Sequence, residues 1–146
     1  MNKEQWAKGM QDILNNYLNQ NYVGFDKELK VELDEYNYGE QSAVFIFKTQ
    51  DWQVNERGFI HGGIIAAMLD TSLGTLAWFL AEGKEVVTTD LNISYIRPLK
   101  LGDTGAVKVY VVKNGRSLIR IRGELFSKNT GKALASASGA WMPINE

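Results

Sequence analysis

The chain has 146 residues, of which 45% are hydrophobic and 11% aromatic, as is typical of one globular domain. Sixteen Lys and Arg nearly balance seventeen Asp and Glu, so a net charge of -1 argues against a nucleic-acid-binding protein. With no Cys and one His, disulfides, thiolate nucleophiles and most metal sites are excluded. The first residues lack the basic start and apolar run of a signal peptide, so we expect a cytoplasmic protein.

The first half of the chain alternates between helical and strand periodicity. Apolar residues at helical spacing predict an amphipathic surface helix from Lys3 to Gln20. Two strands follow, on either side of a turn at residues 37–39. Their alternating apolar residues are Leu29, Val31 and Leu33 in the first strand and Ala43, Phe45 and Phe47 in the second. After a polar loop at 50–58, a long helix is predicted from His61 to Glu82, with Gly83 marking its end.

The rest of the chain has the period-two pattern of antiparallel strands. The pattern predicts strands over residues 87–95, 107–111, 117–126 and 133–142. Between the second and third of these, Asn114 and Gly115 form the two-residue signal of a hairpin whose turn needs positive φ. No repeat or linker interrupts the chain, so we expect one domain over residues 1–146.

The long helix is apolar on every side. Residues 64–81 contain one formal charge, Asp70, and a carboxylate inside a membrane costs about 2.5 to 3.5 kcal/mol on insertion scales. We therefore expect a helix buried in a soluble domain and no membrane span. The predicted fold class is α+β, with a curved antiparallel sheet of about six strands wrapped around the central helix and an N-terminal helix beside it. One sheet cannot cover the whole helix, so a second copy of the chain is expected to pack on it.

Gly62 and Gly63 follow the single His61 at the start of this helix. Glycine leaves the backbone N–H groups of a helix N-terminus approachable, and the helix dipole favours negative charge there. These are the requirements of an oxyanion hole. Alternatively, the glycines only allow close packing and His61 only caps the helix, and these three residues do not decide between the two.

Asp70 lies in the middle of the apolar helix, where propensity and burial both disfavour it. Burial should raise its pKa, which suits a general base or nucleophile. Alternatively, Asp70, Thr71 and Ser72 form a solvated stripe or bond back to the helix; we favour function because no other acid is so placed. Asp70 and Gly62 are separated by about 12 Å along the helix axis. If both act on one carbonyl group, they must come from different chains.

The sequence resembles the hotdog-fold acyl-CoA thioesterases of the PaaI type. The resemblance covers residues 55–103 at the level of motifs and nearly the whole chain in the order of elements. Its motif residues are Asn55, Gly58, the His61-Gly62-Gly63 triplet, Asp70, the Thr88 to Tyr95 strand and Pro98.

The resemblance implies a role for each motif residue. Gly62 N–H would polarise the thioester carbonyl, and Asp70 from the partner subunit would activate a water or attack directly. Asn55 would position the water or the carbonyl, His61 would order the loop and helix start, and Thr88 would assist Asp70. Thr88 could equally be an ordinary β-branched strand residue.

Three further residues are predicted to bind substrate. Gly63 adjoins the helix start, and Arg97 and Arg116 could meet the phosphates of CoA, although exposed basic residues are mostly solvated. Lys100 and Lys113 could make the same contact. The resemblance implies no metal and no organic cofactor.

The leading functional hypothesis is an acyl-CoA thioesterase that converts an acyl or aryl-acyl CoA to the free acid and CoA. We expect a homodimer or homotetramer with sites shared between subunits. The alternatives are a hotdog hydratase or dehydratase, which needs an acid/base pair beside the carbonyl, and a non-catalytic module that binds acyl-CoA or small aromatics. The acyl group, the oligomer size and the choice of base or nucleophile for Asp70 remain open.

Overall fold

A computed structural model describes residues 1–18 and 24–144 of the chain. Six antiparallel strands form one sheet in the order β1-β2-β4-β5-β6-β3, wrapped around a long helix, α3. The strands are β1 (Glu32–Asn37), β2 (Ser42–Lys48), β3 (Glu85–Tyr95), β4 (Thr104–Asn114), β5 (Ile119–Ser127) and β6 (Ala133–Ile144). The helices are α1 (Lys3–Asp12), α2 (Phe25–Leu29) and α3 (Gly62–Leu80). The predicted hotdog architecture and fold class are confirmed.

The N-terminal helix is shorter than predicted. Helix α1 starts at a capping box between Asn2 and Gln5, where each side chain accepts the other residue's backbone N–H. A π-helical turn, Ile13–Tyr17, replaces the α-helical geometry after Asp12, so the predicted helix continues there with a different hydrogen-bond pattern. The last two residues of the predicted helix, 19–20, lie outside the described part of the chain.

Leu29 does not belong to the first strand, contrary to the prediction. It ends the short helix α2, and the next residue, Lys30, adopts the left-handed conformation at φ 55° that reverses the chain into β1. Leu29 is fully buried, and the residues that alternate after it, Val31 just before β1 and Leu33 within it, are also buried. A buried apolar residue one turn before a strand thus fits the period-two pattern by coincidence.

Helix α3 is the core of the molecule. Met68, Leu69, Leu73 and Leu76 are completely buried against the sheet. By length and composition the helix could cross a membrane, but 61% of its most apolar 18-residue stretch is buried inside the fold. It ends at Leu80 rather than Glu82, because Glu82 has φ 52°, which a right-handed helix does not permit.

The connection between β4 and β5 differs from the predicted two-residue hairpin. The strands pair as far as Asn114 and Ile119, which leaves a four-residue loop closed by a bond from Gly115 N–H to the Leu118 carbonyl, 3.1 Å. Neither Asn114 nor Gly115 has positive φ. A register shift between Val111 and Lys113 moves the end of the pairing, so the dipeptide is not at the centre of the turn.

Strand β3 forms one edge of the sheet and pairs only with β6 among the described strands. Its eleven residues are exposed or half-exposed, and Val87 and Tyr95 are 40% and 55% exposed. A register shift between Thr88 and Asp90 bends the strand where it passes the middle of α3. A long, partly apolar edge of this kind is a template for pairing with another chain.

Candidate active site

Asp70 lies near the middle of α3 and is half-buried. Its Oδ1 accepts a hydrogen bond from the Thr88 hydroxyl of β3 at 2.9 Å. Burial raises the pKa of the Asp70 carboxyl above its ordinary value, and the negative charge of Asp26 raises it further, whereas the hydrogen bond from Thr88 lowers it. The carboxylate is therefore a stronger base than an exposed Asp, and its donor is a hydroxyl that could also contact a water.

Asp70 opens onto a cleft of about 320 Å³ between α3, α2 and the strands β3 and β6. Asp26 and Glu85 bring two more carboxyl groups to it, and Trp78 and Trp141 bring aromatic walls. Asp26 Oδ1 accepts a hydrogen bond from Thr71, the residue after Asp70, at 2.7 Å. No three His, Cys, Asp or Glu side chains within residues 1–18 and 24–144 are grouped so as to hold a metal ion.

A second group of predicted residues surrounds the N-terminus of α3. His61 caps the helix: its Nδ1 accepts the Gly63 N–H at 2.8 Å, so a neutral ring carries its proton on Nε2. This bond occupies the donor of Gly63, and a substrate contact by Gly63 would need another atom. The N–H of Gly62 has no acceptor among the described residues, which makes it the available donor at the dipole's positive end.

Tyr95 holds the same helix start from the other side. Its hydroxyl donates to the Gly62 carbonyl at 2.8 Å, and a Cβ on Gly62 would lie 3.6 Å from the Tyr95 ring. The sequence assigned Tyr95 only to the motif strand and gave it no role. Because the contact crosses 33 residues of sequence, no local pattern could reveal it.

Asn55 organises the loop before the helix. Its Oδ1 accepts the backbone N–H groups of Arg57 and Phe59 at 2.9 and 3.2 Å, and this fixes which end of the amide faces the loop. The Nδ2 amide group has no acceptor among the described residues and remains able to donate. His61 is tied to the same loop, because its N–H donates to the Gln53 carbonyl at 2.8 Å.

The two groups of residues lie at different positions along the pair formed by α3 and β3. Strand β3 runs antiparallel to α3, with Thr88 against Asp70 and Tyr95 against Gly62. The eight residues between Gly62 and Asp70 correspond to about 12 Å along the helix. The structure thus brings Asp70 and Thr88 together, and Asn55, His61 and Gly62 near one another, but one chain does not unite the two groups.

The two arginines predicted to bind phosphate are also far apart. Arg97 follows the end of β3, where its Nη1 donates to the Ala133 carbonyl at 2.7 Å, and it lines a cleft with Lys100 and Lys132. Arg116 is exposed in the loop between β4 and β5, which is at the opposite end of the sheet because Ile119 pairs with Trp141 and Trp141 pairs with Thr88. Within one chain, the two arginines cannot hold the same phosphate group.

Comparison with known proteins agrees with this fold. The thioesterase superfamily model matches residues 57–134. Mouse acyl-coenzyme A thioesterase 13 is 32% identical over 114 residues, which are 77% of this chain and 79% of the mouse protein. The structure of zebrafish thioesterase superfamily member 2 has a TM-score of 0.77 and 25% identity, with 92% of this chain and 96% of that one covered. The E. coli PaaI protein of the phenylacetic acid degradation operon has a TM-score of 0.80 and 22% identity over 95% of each chain.

These matches cover the elements that carry the site. The chain belongs to the thioesterase superfamily. The resemblance to PaaI-type proteins drawn from the motif residues is confirmed.

Proposed function

We propose that the protein is an acyl-CoA thioesterase that hydrolyses acyl or aryl-acyl CoA to a free carboxylic acid and CoA. The observation that carries this proposal is the raised-pKa carboxyl of Asp70, held by the Thr88 hydroxyl at 2.9 Å and facing a cleft. The family membership and the mouse acyl-coenzyme A thioesterase 13 support the same reaction. No cofactor is needed, because a base, a water and a donor to the carbonyl oxygen suffice for hydrolysis.

In the proposed mechanism, Gly62 N–H donates to the thioester carbonyl oxygen and stabilises the negative charge that develops there. The Nδ2 amide of Asn55 orients the water or the carbonyl. Asp70 takes a proton from the water as its oxygen attacks the carbonyl carbon, and Thr88 holds the carboxylate. The tetrahedral intermediate then expels the thiolate by breaking the C–S bond, and the proton on Asp70 passes to the departing sulfur.

The two halves of this site are proposed to come from two copies of the chain. Support comes from the separation of about 12 Å between Gly62 and Asp70, which one small reacting group cannot bridge. Among the described strands β3 pairs only with β6, so its other edge, with exposed Val87 and Tyr95, offers a surface for a second copy. We propose a homodimer as the smallest active unit, and a homotetramer would contain this unit twice. We also propose that the protein works in the cytoplasm.

The proposal is tested by release of free thiol from a panel of short, long and aromatic acyl-CoAs. We expect hydrolysis of at least one class by the native chain and loss of at least about a hundredfold in Asp70→Asn, the scale of a removed general base. Hydration of an enoyl-CoA without thiol release would instead support the hydratase alternative. Binding of acyl-CoA with no turnover of any class would support the non-catalytic module.

A further inference from the structure

Trp141 of β6 is buried, with 1% of its surface exposed, yet its indole N–H donates to none of the residues in the described ranges. The ring lines the Asp70 cleft. Its Nε1 would lie 3.1 Å from a Cβ on Gly74, so the N–H edge lies against α3 at a position that has no side chain. Within the described residues, the fully buried side-chain nitrogens that lack a partner are Trp6 Nε1 and Gln53 Nε2, so the Trp141 N–H is open to the cleft, where an acceptor on a bound molecule can reach it.

The sheet register fixes this donor close to the reacting end of the cleft. Trp141 is the direct cross-strand partner of Thr88, so the two side chains lie on the same face of the sheet as Asp70. Gly74 is one helical turn beyond Asp70, which corresponds to about 6 Å along the axis. An acyl group that extends along the cleft from a carbonyl beside Asp70 would therefore pass this N–H a few bonds away from the carbonyl.

Glycine also holds the far end of the indole. A Cβ on Gly139, two residues earlier in β6, would lie 2.8 Å from Cη2 of the Trp141 ring. Gly139 at the six-membered ring and Gly74 beside Nε1 therefore leave room for the ring in the orientation that places its N–H edge against α3. The orientation of the donor is a built feature of the fold.

The charges of the cleft decide which acceptor fits. Asp26, Glu85 and Asp70 all line it, and no Lys or Arg is among its described lining residues. These carboxylates repel a carboxylate on the acyl group. A hydroxyl suits the cleft best, because it accepts from the Trp141 N–H and can donate to a carboxylate oxygen.

We propose that the cleft selects a short acyl group with a hydroxyl on its third or fourth carbon, which accepts the indole N–H of Trp141 while Gly74 keeps that N–H accessible. The inference rests on the proposed thioesterase function, because it treats the cleft as the acyl site of that reaction. It adds Trp141 and Gly74 as residues that determine specificity.

Four thioesters with the same number of acyl carbons test the proposal: butyryl-CoA, 3-hydroxybutyryl-CoA, 4-hydroxybutyryl-CoA and succinyl-CoA. We expect kcat/KM for one hydroxybutyryl-CoA to exceed that for butyryl-CoA by about tenfold, the size of one neutral hydrogen bond. Succinyl-CoA should be the poorest of the four. The ratio of hydroxybutyryl to butyryl is the decisive quantity, because both thioesters share the catalytic machinery.

Two variants remove the donor in different ways. Trp141→Phe deletes the N–H, and Gly74→Ala keeps it but places a methyl group in front of it while raising helix propensity. Each variant should bring the ratio of kcat/KM for hydroxybutyryl-CoA to that for butyryl-CoA to within about threefold of one, because the single hydrogen bond that favours the hydroxyl is lost. Trp52→Phe, at a half-exposed Trp away from the cleft, is the matched control and should leave the ratio unchanged.

The outcomes separate the two proposals. If butyryl-CoA and both hydroxybutyryl-CoAs are hydrolysed equally, or if neither variant changes the ratio, the specificity inference is wrong and the thioesterase function stands. If no acyl-CoA releases thiol, the proposed function is wrong. Calorimetric titration of Asp70→Asn with hydroxybutyryl-CoA and butyryl-CoA then decides the inference by itself, since tighter binding of the hydroxylated ligand supports it and equal binding overturns it.

Discussion

The Thr88 hydroxyl lies 2.9 Å from Oδ1 of Asp70 and joins the edge strand β3 to the middle of α3. Burial and the hydrogen bond act in opposite directions on the pKa of Asp70, and burial has the larger effect. A carboxyl with a raised pKa is a better proton acceptor, and the hydroxyl keeps part of it ionised and oriented. The pair therefore makes the activity depend on pH in a way that substitutions can test.

Asp70→Asn should lower the rate of thiol release by at least about a hundredfold, because the amide cannot take a proton from water. The fold should survive, since Asn is nearly isosteric and can still accept the Thr88 hydrogen bond. Circular dichroism is the control for folding. A folded Asp70→Asn protein with near-native turnover would remove Asp70 from the mechanism.

The same substitution should not destabilise the protein at neutral pH. Because the folded-state pKa of Asp70 is raised, its contribution to stability is fully present below the unfolded-state pKa and is lost as pH rises through the folded-state value. Asn carries no charge at any pH and avoids this loss. The melting temperature of Asp70→Asn should therefore equal or exceed that of the native chain at pH 7, with the difference shrinking in acid.

Thr88→Val should move the acidic limb of the kcat/KM profile to higher pH. The hydroxyl of Thr88 lowers the pKa of Asp70, so its removal leaves burial less opposed and the carboxylate protonates at a higher pH. At neutral pH we expect a loss of about tenfold, the scale of one hydrogen bond in the transition state. Thr88→Ser restores the hydroxyl and should restore both the rate and the limb. An unmoved limb in Thr88→Val would make Thr88 an ordinary strand residue.

Asp26→Asn should move the same limb in the opposite direction. The negative charge of Asp26 raises the pKa of Asp70, and the amide removes that charge while its oxygen can still accept the Thr71 hydroxyl. The limb should therefore shift to lower pH, and the shift should weaken as salt is added. Glu85→Gln is the comparison, because Glu85 lines the same cleft but is not among the groups that shift the pKa of Asp70. If the acidic limb of the kcat/KM profile lies at the same pH in Asp26→Asn and in the native chain, Asp26 does not act on Asp70.

Periodicity predicted the central architecture because burial imposes it. The even apolar character of α3 and the alternation of the later strands both follow from one helix enclosed by one sheet, and those elements lie close to their predicted positions. The predicted start of the first strand and the predicted end of α3 were wrong, because backbone conformation sets these boundaries. Lys30 and Glu82 adopt positive φ although neither is glycine, and their residue types do not reveal it. The Asn114-Gly115 signal failed because a register shift in the strand pair, invisible to a local pattern, sets the loop length.

The site was predictable only where chemistry is visible in one residue. Asp70 is conspicuous because a charge in an apolar helix is expensive. Trp141 is not, because a Trp in a strand is ordinary core, and only the structure shows that its N–H lies beside Gly74 with no acceptor among the described residues. Asp26 was equally hidden, since its hydrogen bond with Thr71 joins residues that are 45 positions apart in sequence.

Asn55→Asp should reduce kcat more than it raises KM. The Asp oxygen can still accept the N–H groups of Arg57 and Phe59, so the loop is kept, but the amide donor is lost. An orienting group matters most in the transition state, so we expect a loss of at least about tenfold in kcat. Asn55→Ala, which also removes the loop contacts, should be worse in stability as well. A change in KM alone would make Asn55 a substrate contact and no more.

The proposed division of the site between two copies can be tested by mixing two variants of low activity. One chain carries Asp70→Asn and keeps Asn55 and Gly62, and the other carries Asn55→Asp and keeps Asp70. In a mixed dimer, one site then combines the intact Asn55 with the intact Asp70, and the other site has both defects. Subunits are exchanged by partial unfolding and refolding of the mixture.

Random pairing makes about half of the dimers mixed, and each mixed dimer has one intact site, so activity should recover to about a quarter of the native level. Each variant refolded alone is the control and should keep only its own low activity, which is at most about a tenth of the native level for Asn55→Asp. The expectation rests on the separation of about 12 Å between Gly62 and Asp70, which is fixed by the rise of the helix and does not change when a partner binds. Mass spectrometry establishes that exchange has occurred. If mixed dimers are present and activity stays at the level of the separate variants, each site lies within one chain and the shared mechanism is wrong.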